Sequence, residues 1–132
     1  MAWYQTNIGS GGDRKNGAAF GSASKTSGGA YTGVALAHTS IPESLINNSV
    51  LTVPAGEYAI DCYLAYSTGN NYSLGQLFIN GSQYGETFSG GVSGNFIVTT
   101  FVITLQTSGT IEMRYTKTGS GTGSVSSAVC IY

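Results

Sequence analysis

Charge is what this sequence has least of. Of 132 residues only eleven are ionised at neutral pH, five Lys or Arg against six Asp or Glu, so charged side chains make up 8%, where ordinary domains carry ~25%. Five cations spread along the chain do not build the clustered basic surface that nucleic acid or anionic lipid requires, which excludes both as electrostatic partners. Histidine is nearly missing too. The single His38 rules out a multi-histidine metal cage, and it reads as a structural residue at the end of a sheet; Cys62 and Cys130 lack the paired close spacing of a zinc site. No metal and no cofactor is expected. Two cysteines in a chain this long read as buried small apolar residues, with one disulfide as the alternative in an oxidising compartment. Apolar runs such as YLAY and FIV are far short of the ~20 residues of a spanning helix, so no membrane insertion is expected. The start MAWYQTNIGSGGDRKNG has no basic region followed by an apolar one, which predicts folding in a cytoplasm rather than export.

Polarity is carried instead by glycine, hydroxyls and amides: twenty Gly, seventeen Ser and fifteen Thr. Disorder goes with few aromatics and high charge. Here aromatics reach 11%, nine of them Tyr, and they sit at the alternating positions a sheet uses. The length suits a single domain over residues 1–132 and is too short for two. Within it, residues 1–29 form a glycine-rich N-terminal segment that is a candidate anchor to a larger assembly.

Period-2 alternation recurs through the second half and no convincing helical pattern appears, so the chain reads as all-β. A short strand is expected around residues 18–23, and ESLINNSV (43–50) is the one stretch suited to a helical turn. Pro54-Ala55-Gly56 turns the chain into a long strand over 57–66. A strand over 73–79 leads to Asn80-Gly81, a strong two-residue hairpin signal because both positions of a type I′ turn need positive φ. Strands over 83–88, 95–105, 110–116 and 124–132 follow. Spacing of about ten residues with short turns indicates a two-sheet antiparallel sandwich of jelly-roll type.

The faces of these strands differ. Residues 110–116 put Ile111, Met113 and Tyr115 on one face and Glu112 and Arg114 on the other, as in a sheet with one wet side. Residues 57–66 put Tyr58, Ile60, Cys62 and Leu64 on one face, yet Ala59, Asp61, Tyr63 and Ala65 on the other carry a single charge. Residues 95–105 are apolar on both faces, Ile97, Phe101, Ile103 and Leu105 against Phe96, Val98 and Val102, and the final AVCIY is likewise two-sided. Such strands need cover on both sides, a partner sheet covers one, and the economical cover for the other is a second copy of the chain. Candidate interface residues are Tyr63, Phe96, Val98, Val102 and Tyr132; in the opposite register Ile97 and Ile103 would face the copy.

The run SVLTVPAGEYAIDCYLAY, followed by LFINGSQYG, FVITLQTSGTIEMRYTKTG and SVSSAVCIY, resembles the jelly rolls of the tumour-necrosis-factor and complement globular-head superfamily, in the small versions found on bacteriophage fibres and capsids. The shared parts are Val-Pro-Ala-Gly-x-Tyr leading into a long strand, the Asn-Gly hairpin after it, and a Ser/Thr/Gly-rich approach to a last apolar strand ending in Tyr, together covering roughly residues 49–132. The opening MAWYQTNIG is similar to the first residues of some phage tail and fibre proteins. The resemblance implies a ten-strand jelly roll assembled as a compact homotrimer with its inner sheet toward the three-fold axis. It implies a non-enzymatic virion structural protein, a capsid decoration or fibre head. Its partners would be its own copies and other virion proteins, and its location the virion after assembly in the host cytoplasm.

Chemistry-bearing patterns are few. There is no Gly-x-Ser-x-Gly elbow, and residues 9–17 lack the Gly-Lys-Ser/Thr of a phosphate loop. Among Asp13, Glu43, Glu57, Asp61, Glu86 and Glu112 a catalytic pair stays open. Asp61 stands out because its face should be covered; it reads as an ion pair or hydrogen bond at a subunit interface, with a small sugar-cleaving hydrolase as the rival. Loops STGNNY (67–72) and QYGETFS (83–89) combine amides and rings that suit sugar hydroxyls and pyranose faces. Asn70, Asn71, Tyr72, Tyr84 and Phe88 are therefore candidate ligands for a host cell-surface glycan, and equally ordinary turn and strand-end residues. A free-standing carbohydrate-binding lectin is the alternative function. Trp3 and Tyr4 either belong to an anchoring peptide or start the first strand and fill the core.

Overall fold

The computed structural model describes residues 18–66, 72–89, 97–118 and 125–132. Their strands are β1 (Ala19–Lys25), β2 (Thr32–Gly33), β3 (His38–Thr39), β4 (Ile46–Asn47), β5 (Val50–Val53), β6 (Gly56–Tyr66), β7 (Tyr72–Ile79), β8 (Ser82–Ser89), β9 (Ile97–Leu105), β10 (Gly109–Thr118) and β11 (Val125–Ile131). The helical turn expected in ESLINNSV is a single 3-10 turn, Glu43–Leu45. Asn48, at φ 56, then reverses the chain between β4 and β5.

Local chemistry fixes the turns that matter. The Tyr58 hydroxyl donates to the Pro54 carbonyl at 2.8 Å, closing the Pro-Ala-Gly turn in front of β6. Asn80 and Gly81 have φ of 54 and 81, the type I′ combination that matches the strand twist. The Asn80 Oδ1 also accepts the Thr110 N–H at 2.9 Å, tying the hairpin to β10.

Two antiparallel sheets result. The first has the order β3-β1-β11-β6-β9, the second β4-β5-β10-β7-β8, with β2 also on β10. Numbering only the eight strands of four or more residues, the orders are 1-8-3-6 and 2-7-4-5, the paired Greek keys of a jelly roll. The fold class read from the sequence is thus the observed one.

The core lies between the sheets and follows the alternation. Tyr58, Ile60, Cys62 and Leu64 of β6 are fully buried and face Leu77, Ile111, Met113 and Tyr115 of the second sheet, with Val129 and Ile131 beside them. Burying each large side chain is worth ~1.5–3 kcal/mol, which makes this set of positions decide folding. On the far side of β10, Glu112 and Arg114 form an ion pair at 2.7 Å, and the Arg114 guanidinium lies 3.9 Å from the centroid of the Phe78 ring. The two cysteines occupy neighbouring strands but opposite faces: Cys62 is level with Val129 and Cys130 with Asp61. A one-residue offset between paired strands sends side chains to opposite sides, so the two thiols stay separate, and both are free.

For β9 the structure selects one of the two registers. Ile103 and Leu105 point into the core, while Val98 and Val102 point outward at 49% and 60% exposure. Ile97 shares the inward direction but sits at the rim. His38 lies in β3 at the edge of the first sheet, level with Phe20.

Candidate functional site

The outer face of the first sheet has no covering element among the described residues. Strand register assembles it in rows: Phe20, Cys130, Asp61 and Thr100 in one, Ser22, Ala128, Tyr63 and Val98 in the next, with Ala59 beside Val102. Tyr132 extends the surface, held to β6 by reciprocal backbone bonds with Ala59 at 2.7 and 2.9 Å. Alanine, serine and threonine keep the surface low, so Tyr63, Val98, Val102 and Tyr132 define its relief.

Asp61 sits near the middle of this face. Thr100 donates its hydroxyl to Oδ1 at 2.8 Å, and Tyr132 donates its phenol to Oδ2 at 2.7 Å. The carboxylate is therefore solvated by two side-chain hydroxyls before any partner arrives. The cost appears on the neighbours. The Tyr132 hydroxyl is pushed up to about 12, first because ionisation would forfeit the bond to Asp61 and then by desolvation. Desolvation, and then the nearby Asp61 charge, also raise the Tyr63 phenol and the Cys130 thiol. On the core side, burial pushes the Cys62 thiol up to about 12. Glu57, the other carboxylate on this face, stands four strand residues from Asp61, ~13 Å along the backbone, wider than the ~5–9.5 Å over which sugar-cleaving carboxylate pairs operate.

The face continues into an open edge. Among the described residues β9 pairs only with β6, and its nine residues run in unbroken register from Ile97 to Leu105 without charge, Pro or Gly, the kind of edge that invites association. The other edges are blunted. β3 and β4 are two residues long, and β8 is broken by an irregularity opposite Gly75 and Leu77, with Gly85 at φ 76. The β8–β9 side of the sandwich is closed by an aromatic wedge in which the Phe101 ring lies 6.2 Å from Tyr84 and 5.8 Å from Phe88. All the exposed large apolar side chains among the described residues, Tyr84, Ile97, Val98, Val102 and Tyr132, belong to the open face or to this edge.

The candidates read from the sequence separate accordingly. Tyr63, Val98, Val102 and Tyr132 come together on one face; Phe96 lies outside the described residues. Of the glycan candidates, Tyr84 and Phe88 meet at the wedge. Phe88 is half-buried and its ring occupies the space above Gly75, where a Cβ would strike it, which gives it a packing role. Asn70 and Asn71 lie outside the described residues, as does the side chain of Tyr72; Trp3 and Tyr4 lie outside as well. Thr100 was not foreseen as a partner of Asp61, because its place follows from the β6–β9 register alone. No group of three or more His, Cys, Asp or Glu suited to a metal occurs among the described residues, and none of their helices is long and apolar enough to cross a membrane.

The fold is an all-β jelly roll, and the outer face of its first sheet has no covering element among the described residues. No protein-family model and no curated protein matches the chain. Among solved structures, the cryo-EM structure of Broad Bean Stain Virus is similar at 11% identity and a TM-score of 0.39, over 90% of this chain and 78% of that one.

Proposed function

We propose that this chain is a non-enzymatic structural module of a bacteriophage virion, and that it assembles as a compact homotrimer through the open face of the first sheet. The observation that carries the assembly is the character of that face. It is wide, low and nearly uncharged, and its central carboxylate already has two hydroxyl donors, so burying it leaves no naked charge. A partner chosen by opposite charge finds little to hold there. An identical surface, equally poor in charge and rich in apolar and hydroxyl groups, does.

A closed three-fold ring joins two different patches of neighbouring copies. The open face and the β8–β9 edge supply two. Membership of a virion, as capsid decoration or fibre head, is supported by the sequence resemblance of residues 49–132 to phage jelly-roll modules. Antiserum against the purified protein tests it: the expected result is labelling of intact particles from the phage that encodes the chain. Label found only in the soluble fraction of infected cells would contradict it, whereas the mass of the purified protein tests assembly separately.

A further inference from the structure

The apolar core ends in a polar layer at one end of the sandwich. Along β10 the inward positions run Ile111, Met113, Tyr115 and then Lys117, a lysine only 5% exposed. Ser73 of β7 is its register partner. In the opposite sheet Ser127 of β11 points inward between Ala23 and Leu64, and Lys25 ends β1 on the same side, its Nζ 5.6 Å from the Tyr115 ring centroid. Lys25 donates to the Ala30 carbonyl at 2.7 Å, which uses one of its three N–H groups.

Two features of this layer ask for a ligand. The Ser73 and Ser127 hydroxyls are fully buried and have no hydrogen-bond partner among the described residues, although buried hydroxyls are nearly always partnered. Neither Lys25 nor Lys117 forms an ion pair with a carboxylate among the described residues; Arg114 is paired with Glu112, and Asp61 lies on the outer face. Two lysines and two orphan hydroxyls thus lie at the same end of the sandwich, with no carboxylate paired to either lysine among the described residues.

We infer that this end of the sandwich binds a small oxyanion through Lys117, Lys25, Ser73 and Ser127, either free in solution or as the carboxylate of an acidic sugar. Lysine supplies the charge and rotatable N–H donors, and each serine supplies one O–H. The site lies inside the sandwich and goes beyond the assembly proposal, on which it does not depend.

The test is an amide-resolved NMR titration of the full chain with inorganic phosphate, with glucuronate and with glucose. Phosphate, glucuronate or both should shift the amides around Ser73 and Lys117 saturably, and glucose should not. Lys117→Gln should weaken that binding about tenfold or more, the scale of one lost charge-assisted hydrogen bond, and Ser127→Ala should weaken it less. Saturation by glucuronate alone identifies an acidic sugar as the source; saturation by phosphate, with or without glucuronate, identifies a free oxyanion. If Lys117→Gln does not fold, Lys25→Gln and Ser73→Ala carry the test. Absence of shifts with both anions, equal shifts with glucose, or anion binding unchanged in every variant that folds would overturn the site. Oligomeric mass in the same samples should not change, which separates failure here from failure of the assembly proposal.

Discussion

Tyr132 donates its phenol proton to Asp61 across the open face of the first sheet, at 2.7 Å. The bond joins residue 132, just beyond β11, to the middle of β6, and it turns the central charge of a surface poor in charge into a hydrogen-bonded group. A face built this way can be covered without leaving a carboxylate unsolvated.

The first prediction concerns that bond and pH. The Tyr132 hydroxyl ionises at about 12 instead of 10. Because the folded value lies above the unfolded one, the bond's contribution to stability is fully present below pH 10 and is lost as pH rises toward 12. In Asp61→Asn the hydrogen bond from the Tyr132 phenol to a charged carboxylate is lost, so one tyrosine should ionise closer to 10. Ultraviolet titration of the two proteins checks this; identical curves would contradict the assignment.

The second concerns the two registers of β9. Val102 is 60% exposed and Ile103 3%, though they are neighbours in sequence. Val102→Asp should disperse the assembly and leave the circular dichroism of the fold unchanged. Ile103→Ala should destabilise each subunit by ~2–5 kcal/mol, the usual cost of emptying a core site. Equal and mild effects at both positions would contradict the layer assignment.

The third uses the thiols as reporters. Only the thiolate attacks thiol reagents, and burial raises Cys62 to about 12, so Cys62 should stay unreactive until the chain unfolds. Cys130 lies on the open face, where the proposed neighbour would shield it. Its reaction should be slow in the native protein and faster in Val102→Asp. A Cys130 rate equal in both would mean that the face is uncovered in solution.

How much of this was legible in the sequence depends on how far each feature reaches along the chain. The faces of β6 and β10 were readable because Tyr58, Ile60, Cys62 and Leu64, and likewise Ile111, Met113 and Tyr115, follow a local period of two. The Asn80-Gly81 turn was readable because its backbone demand falls on two adjacent residues. β9 was ambiguous, since both of its faces carry apolar side chains and only pairing with β6 decides between them. The bonds of Asp61 to Thr100 and Tyr132 span 39 and 71 positions, beyond any local pattern. Lys117 was missed for a different reason. Its charge argues for a solvated strand end, yet its parity with Tyr115 places it inside. Tyr84 and Phe88 looked like ligands because QYGETFS combines amides, hydroxyls and rings; four residues apart in β8, both rings lie on the side of Phe101 and pack there.

The fourth prediction tests the close approach behind β1. A Cβ at Gly21 would strike the backbone carbonyl of Ala35, and backbone cannot swing aside as a side chain can. Gly21→Ala should therefore destabilise the fold by ~1–3 kcal/mol or more, the cost of overpacking. Urea denaturation checks it, and a variant as stable as the parent would contradict the described path of residues 34–37.

The central claim is self-assembly through the open face, and the most direct measurement is the mass of the purified protein in solution by light scattering across micromolar concentrations. The account predicts a single species of three times the 13.6 kDa chain mass, reduced to one chain by Val102→Asp. A monomer throughout that range would contradict it.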